Sequence, residues 1–114
     1  MAFARVLDES PRNAGKTEAA SVTVARNLRA RVRLLSASDE WATAGAILQF
    51  GFERSTDGGL TWEHWVSGNP PFSRDKGGNP PSVGCKNLDA KAVMVRPFVV
   101  YGKRATVGAE VEVA

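Results

Sequence analysis

The 114-residue sequence has one cysteine, one histidine and one tyrosine. A lone cysteine cannot form an intrachain disulfide, which excludes a disulfide-stabilised scaffold. A nucleophilic thiolate at Cys85 would need a base, and His64 is the single histidine, but their spacing does not indicate that they meet. A zinc site needs a cluster of cysteines and histidines. We therefore predict no metal, no cofactor and no enzymatic activity.

Long apolar runs are also missing. No segment approaches the roughly 20 apolar residues of a transmembrane helix, so no membrane partner is expected. Residues 1–16 lack the apolar run of a secretion signal, and we expect a protein that is made and kept, or assembled, in a cytosol. The net charge of +3 is compatible with an acidic partner but too small to indicate nucleic acid.

Helical periodicity is scarce, whereas period-two alternation recurs along the chain. Ala30, Val32 and Leu34 alternate with three arginines, for example. The predicted strands cover residues 2–7, 18–25, 29–35, 46–54, 61–67, 92–101 and 105–113. About seven or eight short strands predict an all-β, single-domain antiparallel β-sandwich of jelly-roll or immunoglobulin-like type. Residues 1–16 are assigned to an N-terminal strand or arm and a loop, and residues 17–114 to the sandwich domain.

Two strands carry specific expectations. In 46–54, the side chains of Leu48, Phe50 and Phe52 are expected on the buried face, and those of Gln49, Gly51 and Glu53 on a wet face. In 92–101, both faces are apolar, which favours a central strand. Pro97 cannot donate to a ladder, so it is expected at an edge position or a bulge.

The segments between the strands are predicted to be loops. Trp41 is expected to fold back onto the core from the loop 36–45, and Gly102-Lys103 to form a hairpin turn. Residues 68–84 form the longest loop and include four prolines. Because long loops in small domains are often functional, we predict a binding or assembly loop here, with Phe72 and Arg74 as candidate partner contacts.

One short motif is specific. Residues 55–62 read Ser-Thr-Asp-Gly-Gly-Leu-Thr-Trp, with Ser55, Asp57, Gly59, Thr61 and Trp62 at the defining positions. The segment resembles the Asp-box, the Ser-x-Asp-x-Gly-x-Thr-Trp hairpin of sialidases and related β-propellers. Side-chain oxygens at the first two positions can accept bonds from turn amides, glycines permit positive φ, and the tryptophan is expected in the core.

The resemblance implies a stabilised hairpin and no activity, because in sialidases the Asp-box lies away from the catalytic site. The chain is also far too short for a propeller and contains one such box. A sialidase would further need an arginine cluster, a tyrosine nucleophile and acid/base carboxylates. Tyr101 is the single tyrosine and falls within a predicted strand.

Arginines and tryptophans offer candidate contacts. Arg29, Arg31 and Arg33 would project from one strand face. They would form a solvated edge, an acidic-partner contact or a phosphate site. The three tryptophans could form a sugar-stacking platform, but Trp62 and Trp65 are three residues apart and should face opposite sides of their strand. Trp65 is expected to be exposed or buried against another subunit.

The overall layout resembles the small capsid decoration, or cement, proteins of tailed bacteriophages. A strand-like arm, a sandwich and a Gly-Asn-Pro loop at 76–80 carry this resemblance. It implies a virion structural protein, located on the capsid surface after assembly in the host cytoplasm, that binds the major capsid protein, commonly as a homotrimer. A tail or fibre component, or a carbohydrate-binding or adhesion module, is the alternative.

Overall fold

Eleven strands form two main antiparallel sheets and one small ribbon in the computed structural model, which describes residues 3–114. The strands are β1 (Ala4–Leu7), β2 (Pro11–Arg12), β3 (Gly15–Glu18), β4 (Val22–Val24), β5 (Arg29–Leu35), β6 (Ile47–Ser55), β7 (Glu63–Gly68), β8 (Ser82–Lys86), β9 (Val93–Tyr101), β10 (Ala105–Thr106) and β11 (Gly108–Val113). A 3-10 turn covers Glu40–Ala42. The predicted all-β sandwich is confirmed.

The first sheet has the order β1-β11-β5-β8 and the second the order β3-β9-β6-β7, with β4 also paired to β9. The ribbon joins β10 to β2. Because β10 pairs with β2 rather than with β9, the predicted hairpin at Gly102-Lys103 is wrong. The chain instead leaves the second sheet after β9 and enters the first sheet at β11.

The core lies between the two sheets. Alternate residues of β5 and β11 face those of β6 and β9 there, as the period-two pattern predicts. The buried apolar side chains are Leu7, Val24, Ala30, Val32, Leu34, Trp41, Ala46, Ile47, Phe50, Phe52, Val93, Val95, Val99, Tyr101, Ala105, Val107, Ala109 and Val111. Trp41 is only 2% exposed, so its predicted return to the core is confirmed.

Pro97 lies in the middle of β9, paired with Phe52 of β6, and not at an edge or bulge. Its backbone faces Ala19, whose N–H donates to the Pro97 carbonyl at 2.9 Å. Ala19 is in the gap between β3 and β4. The missing proline donor therefore falls where no ladder bond is required, which explains how a central strand accommodates it.

The N-terminal segment contains more β-structure than the predicted strand and loop, because β1, β2 and the start of β3 all lie within residues 4–16. β1 pairs with β11 of the same chain, so only its outer edge is open to a neighbour's strand. Within the predicted loop 8–16, β2 is held by Arg12, whose guanidinium donates to an Asp8 carboxylate oxygen at 2.7 Å and to the Val107 carbonyl at 3.2 Å. Residue 2 of the predicted first strand lies outside the described residues.

Candidate partner-binding surface

The hairpin between β6 and β7 is closed by side chains of its own turn. Ser55 Oγ accepts from the Gly59 N–H at 2.8 Å and donates to Asp57 Oδ1 at 2.7 Å. The Asp57 carboxylate also accepts from the Thr61 N–H at 2.9 Å and from the Thr61 hydroxyl. Gly58 and Gly59 have φ of 74° and 94°. The predicted roles of Ser55, Asp57 and the two glycines in the turn are confirmed.

These bonds use both carboxylate oxygens of Asp57. The bonds from Thr61, followed by the one from Ser55, lower the pKa of Asp57 from 3.8 to about 2. The charged carboxylate is therefore the form that the hairpin stabilises. Asp57 is engaged within the turn, and the hairpin is a structural element rather than a candidate site.

The tryptophans of β7 and its hairpin are arranged differently from the prediction. Trp62 is only partly buried and lies outside the core, with the Arg96 guanidinium 4.5 Å from its ring centre. Trp65, expected to be exposed or buried against another subunit, is partly buried against the core of its own chain. A β-bulge causes the exchange: the register shifts between Phe52 and Glu53, which pair with Val66 and His64. Trp65 is the additional residue opposite this step.

A charged network covers the outer face of the second sheet, predicted to be wet. Glu53, on this face, is only 8% exposed. Its carboxylate binds Lys16 Nζ at 2.6 Å and Arg96 Nε at 2.8 Å, and Arg96 also reaches Glu18 at 3.1 Å. Burial alone would raise the pKa of Glu53, but the bonds from the two cations outweigh burial and lower it. Phe98, only 2% exposed, lies on the same face with Lys16 5.2 Å from its ring centre.

Several candidate partner contacts are occupied within the chain. Arg74 binds the Asp39 carboxylate through two nitrogens, at 3.0 and 2.7 Å. Phe72 packs edge-on against Phe50, with 5.1 Å between ring centres. Together with Trp65 on the core, these contacts hold the long loop and β7 in place. The structure therefore gives Trp65 and Phe72 packing roles and engages the exposed Arg74 in an intrachain ion pair.

Arg33 is also occupied. Its guanidinium forms an ion pair with Glu110 on the neighbouring strand β11 and lies 3.8 Å from the centre of the Phe3 ring. Arg29 and Arg31 of the same strand face are exposed. Neither takes part in an ion pair among residues 3–114.

The two exposed arginines belong to a basic strip that the sequence prediction missed in part. Arg29 lies directly opposite Lys86 of β8, and Arg31 opposite Gly84. An open trough of about 750 Å³ lies over Gly84. Its polar rim includes Ser82 and Glu112 in addition to Arg29, Arg31 and Lys86. We define Arg29, Arg31 and Lys86 as the basic strip. β8 was missed because residues 68–84 were assigned to one loop, although Val83 and Cys85 alternate with polar or small residues from 82 to 86.

The first sheet also carries the one thiol. Cys85 is half-buried, and burial raises its pKa to about 11. The thiol is therefore protonated at neutral pH, which disfavours a nucleophilic role. Within residues 3–114, no group of three or more His, Cys, Asp and Glu side chains is placed to hold a metal ion. The same residues contain no helix long and apolar enough to cross a membrane.

Comparisons with known proteins give one structural likeness. No family model and no curated protein matches the chain. Among solved structures, the chain is similar to the solution NMR structure of a de novo designed double-stranded β-helix. The two are 14% identical, with a TM-score of 0.42, and the alignment covers 92% of this chain and 94% of the designed one.

Proposed function

We propose that the protein is a non-enzymatic structural component of a virion, a decoration protein that binds the major capsid protein on the outside of the shell. It would be assembled in the host cytoplasm and act as a homotrimer. Its basic strip would contact an acidic patch of the capsid surface. Burial of surface between subunits would then stabilise the shell.

The observation that carries the proposal is the unpaired charge of the basic strip. Arg29 and Lys86 are directly opposite each other on adjacent strands, where like charges are destabilising. Glu112 of β11 is opposite Arg31 of β5, yet the two form no ion pair. In an isolated fold these charges keep the edge solvated, and an acidic partner would in addition neutralise them.

The rest of the surface is partly neutralised within the chain. Of the twelve other lysines and arginines, six form ion pairs among residues 3–114, as in the Glu53 network and the Arg74–Asp39 and Arg54–Glu63 pairs. The basic strip differs because its unpaired cations lie together, with Arg29 directly opposite Lys86. The carbohydrate alternative loses support, because Trp41 is in the core and Trp65 packs against it, so no platform of three tryptophans exists.

The test is co-sedimentation with empty heads assembled from the major capsid protein encoded in the same genome. We expect the wild-type chain to sediment with the heads and to be released as salt is raised, since screening weakens exposed charge pairs. The double variant Arg29→Glu/Arg31→Glu should remain in the supernatant. Lys91→Glu/Lys103→Glu makes the same charge change at exposed positions outside the strip and should still bind.

Two results would contradict the proposal. The first is unchanged head binding by the Arg29→Glu/Arg31→Glu variant. The second is a wild-type chain that ignores heads and is instead retarded on a polysaccharide affinity gel, which would favour a carbohydrate-binding module. Binding to isolated tails but not to heads would replace the capsid with the tail as the place of assembly.

A further inference from the structure

The edge of the first sheet at β8 is open for hydrogen bonding. The Leu34 N–H donates to the Pro81 carbonyl at 3.1 Å, and the Asn87 N–H donates to the Leu28 carbonyl at 2.9 Å. Because hydrogen-bonded and non-hydrogen-bonded pairs alternate along an antiparallel ladder, these two bonds show which residues of β8 are hydrogen-bonded to β5. Val83 and Cys85 therefore direct their backbone groups towards β5, whereas Ser82, Gly84 and Lys86 direct theirs away from it.

No strand covers that edge within residues 3–114. β8 pairs with β5 alone, and no described hydrogen bond reaches the outward backbone groups of Ser82, Gly84 and Lys86. All three residues are exposed. Natural sheets usually protect such edges, and an uncovered edge is the site to which an extended peptide adds in many complexes.

Gly84 keeps the middle of this edge and the trough above it open. A β-carbon there would lie 3.5 Å from the Ala30 carbonyl oxygen and 3.9 Å from Arg31 carbons, which is ordinary contact. Its φ is not in the left-handed region. The fold therefore does not require glycine, although glycine weakens a strand by roughly 0.5–1 kcal/mol relative to alanine.

The two faces beside this edge differ in chemistry. On the outer face are the cations of the basic strip. On the inner side, Val83 and Cys85 are half-buried and pack against the core. A strand added to β8 would place alternate residues over these two surfaces. Its outward residues would meet cations and its inward residues an apolar rim.

We propose that β8 is the docking edge for an extended acidic segment of the partner protein, which adds as a further strand of the first sheet. Its acidic side chains would contact Arg29, Arg31 and Lys86, and its alternate apolar side chains would lie beside Val83 and Cys85. This inference rests on the proposed function for the acidic nature of the partner and adds the mode of binding.

The test uses a short synthetic peptide in which Glu alternates with Val, and two variants of the full chain. Gly84→Pro removes one outward N–H and places a ring at the edge, while leaving the bonds to β5 intact. Gly84→Ala is the matched control, because it keeps the N–H. We expect the peptide to bind wild type and Gly84→Ala, and Gly84→Pro to bind at least about tenfold more weakly. A peptide in which Lys replaces Glu should not bind.

A second measurement keeps the test decisive if Gly84→Pro does not fold, which circular dichroism would reveal. The Glu-Val peptide is N-methylated either at every Glu or at every Val. One of these two sets of amides must face β8, so one methylated peptide should lose binding to the wild-type chain. Equal binding of both methylated peptides and the unmethylated one would overturn strand addition.

The two proposals fail in different ways. Suppose that Arg29→Glu/Arg31→Glu no longer binds the heads but Gly84→Pro still binds both the heads and the peptide. Docking through the basic strip would then stand, and strand addition would be wrong. If the peptide binds as expected but heads are not bound, strand addition stands and the capsid is wrong as the partner. Peptide binding unchanged in Arg29→Glu/Arg31→Glu would overturn the acidic character of the added strand.

Discussion

At the scale of single residues, two strand glycines, Gly51 in the central strand β6 and Gly84 in the edge strand β8, have opposite requirements. A β-carbon at Gly51 would lie 2.0 Å from the Val66 carbonyl oxygen and 2.6 Å from the Ser67 Cα, both in the backbone of the paired strand β7. At Gly84 the corresponding space is free. Gly51 is thus required by the close approach of two backbones, whereas packing does not require glycine at position 84.

This contrast predicts different effects of the same substitution. Gly51→Ala should lower the free energy of unfolding by about 2–3 kcal/mol, because β6 and β7 must separate to admit the methyl group. Gly84→Ala should leave it unchanged or raise it by roughly 0.5 kcal/mol. Urea denaturation of the two variants and wild type measures both. A Gly51→Ala variant as stable as wild type would contradict the geometry of this strand pair.

A second prediction concerns Asp57 and acid. Its pKa is lowered in the folded chain to about 2 from 3.8, so its carboxylate stabilises the fold above pH 3.8, and this contribution is lost as the pH falls towards 2. In Asp57→Asn, one acceptor for Thr61 is replaced by a donor. The Tm of wild type should exceed that of the variant at neutral pH, and the difference should shrink between these two pH values. A difference independent of pH would show that the charge is not what the turn stabilises.

At the scale of elements, the strand pattern could be predicted from the sequence and the facing of particular side chains could not. β5 begins and ends at the predicted residues, since Ala30, Val32 and Leu34 alternate cleanly with arginines. In β6, by contrast, the register shifts between Ile47 and Gln49. Leu48 is therefore 48% exposed, although alternation placed it with Phe50 on the buried face.

Bulges depend on the partner strand, which a local pattern does not include. The same reason explains Trp62 and Trp65, whose faces are exchanged by the second shift in β6. The candidate site shows a related limit. Arg29 and Arg31 were predicted from their own alternation, but Lys86 joins them through a pairing between β5 and β8 that is distant in the sequence.

The Glu53 network links three strands and gives a prediction for the second sheet. Lys16 of β3 and Arg96 of β9 both donate to the Glu53 carboxylate of β6. Glu53→Gln should lower the free energy of unfolding by about 1–2 kcal/mol, since bonds to a charged acceptor become bonds to a neutral one. Glu112→Gln removes a carboxylate without an ion-pair partner and should change it little. Equal effects in urea denaturation would mean that net charge, not the network, is responsible.

At the scale of the whole molecule, the central strand β9 and the edge strand β8 are expected to differ in local stability. β9 pairs with β3, β4 and β6, and several of its side chains are part of the core. Its backbone amides should therefore exchange with solvent slowly. In β8, the amides of Val83 and Cys85 are hydrogen-bonded to β5. The amides of Ser82, Gly84 and Lys86 face outward from the sheet. Hydrogen exchange by NMR should therefore show alternate slow and fast amides along β8. Uniform protection would mean that the edge is already covered.

The position of the terminal strands has a mechanical consequence. β1 and β11 are antiparallel neighbours, with Ala4 opposite Val111 and Leu7 opposite Ala109, so the beginning of one strand lies beside the end of the other. A force that pulls residues 3 and 114 apart would load the bonds between them one after another, as in a zipper. A partner attached along β8 would instead load several bonds together in shear when it is displaced along the strand. The pairing of the two terminal strands should therefore yield to a lower pulling force than the pairing of a partner strand with β8, the edge that we propose holds the partner.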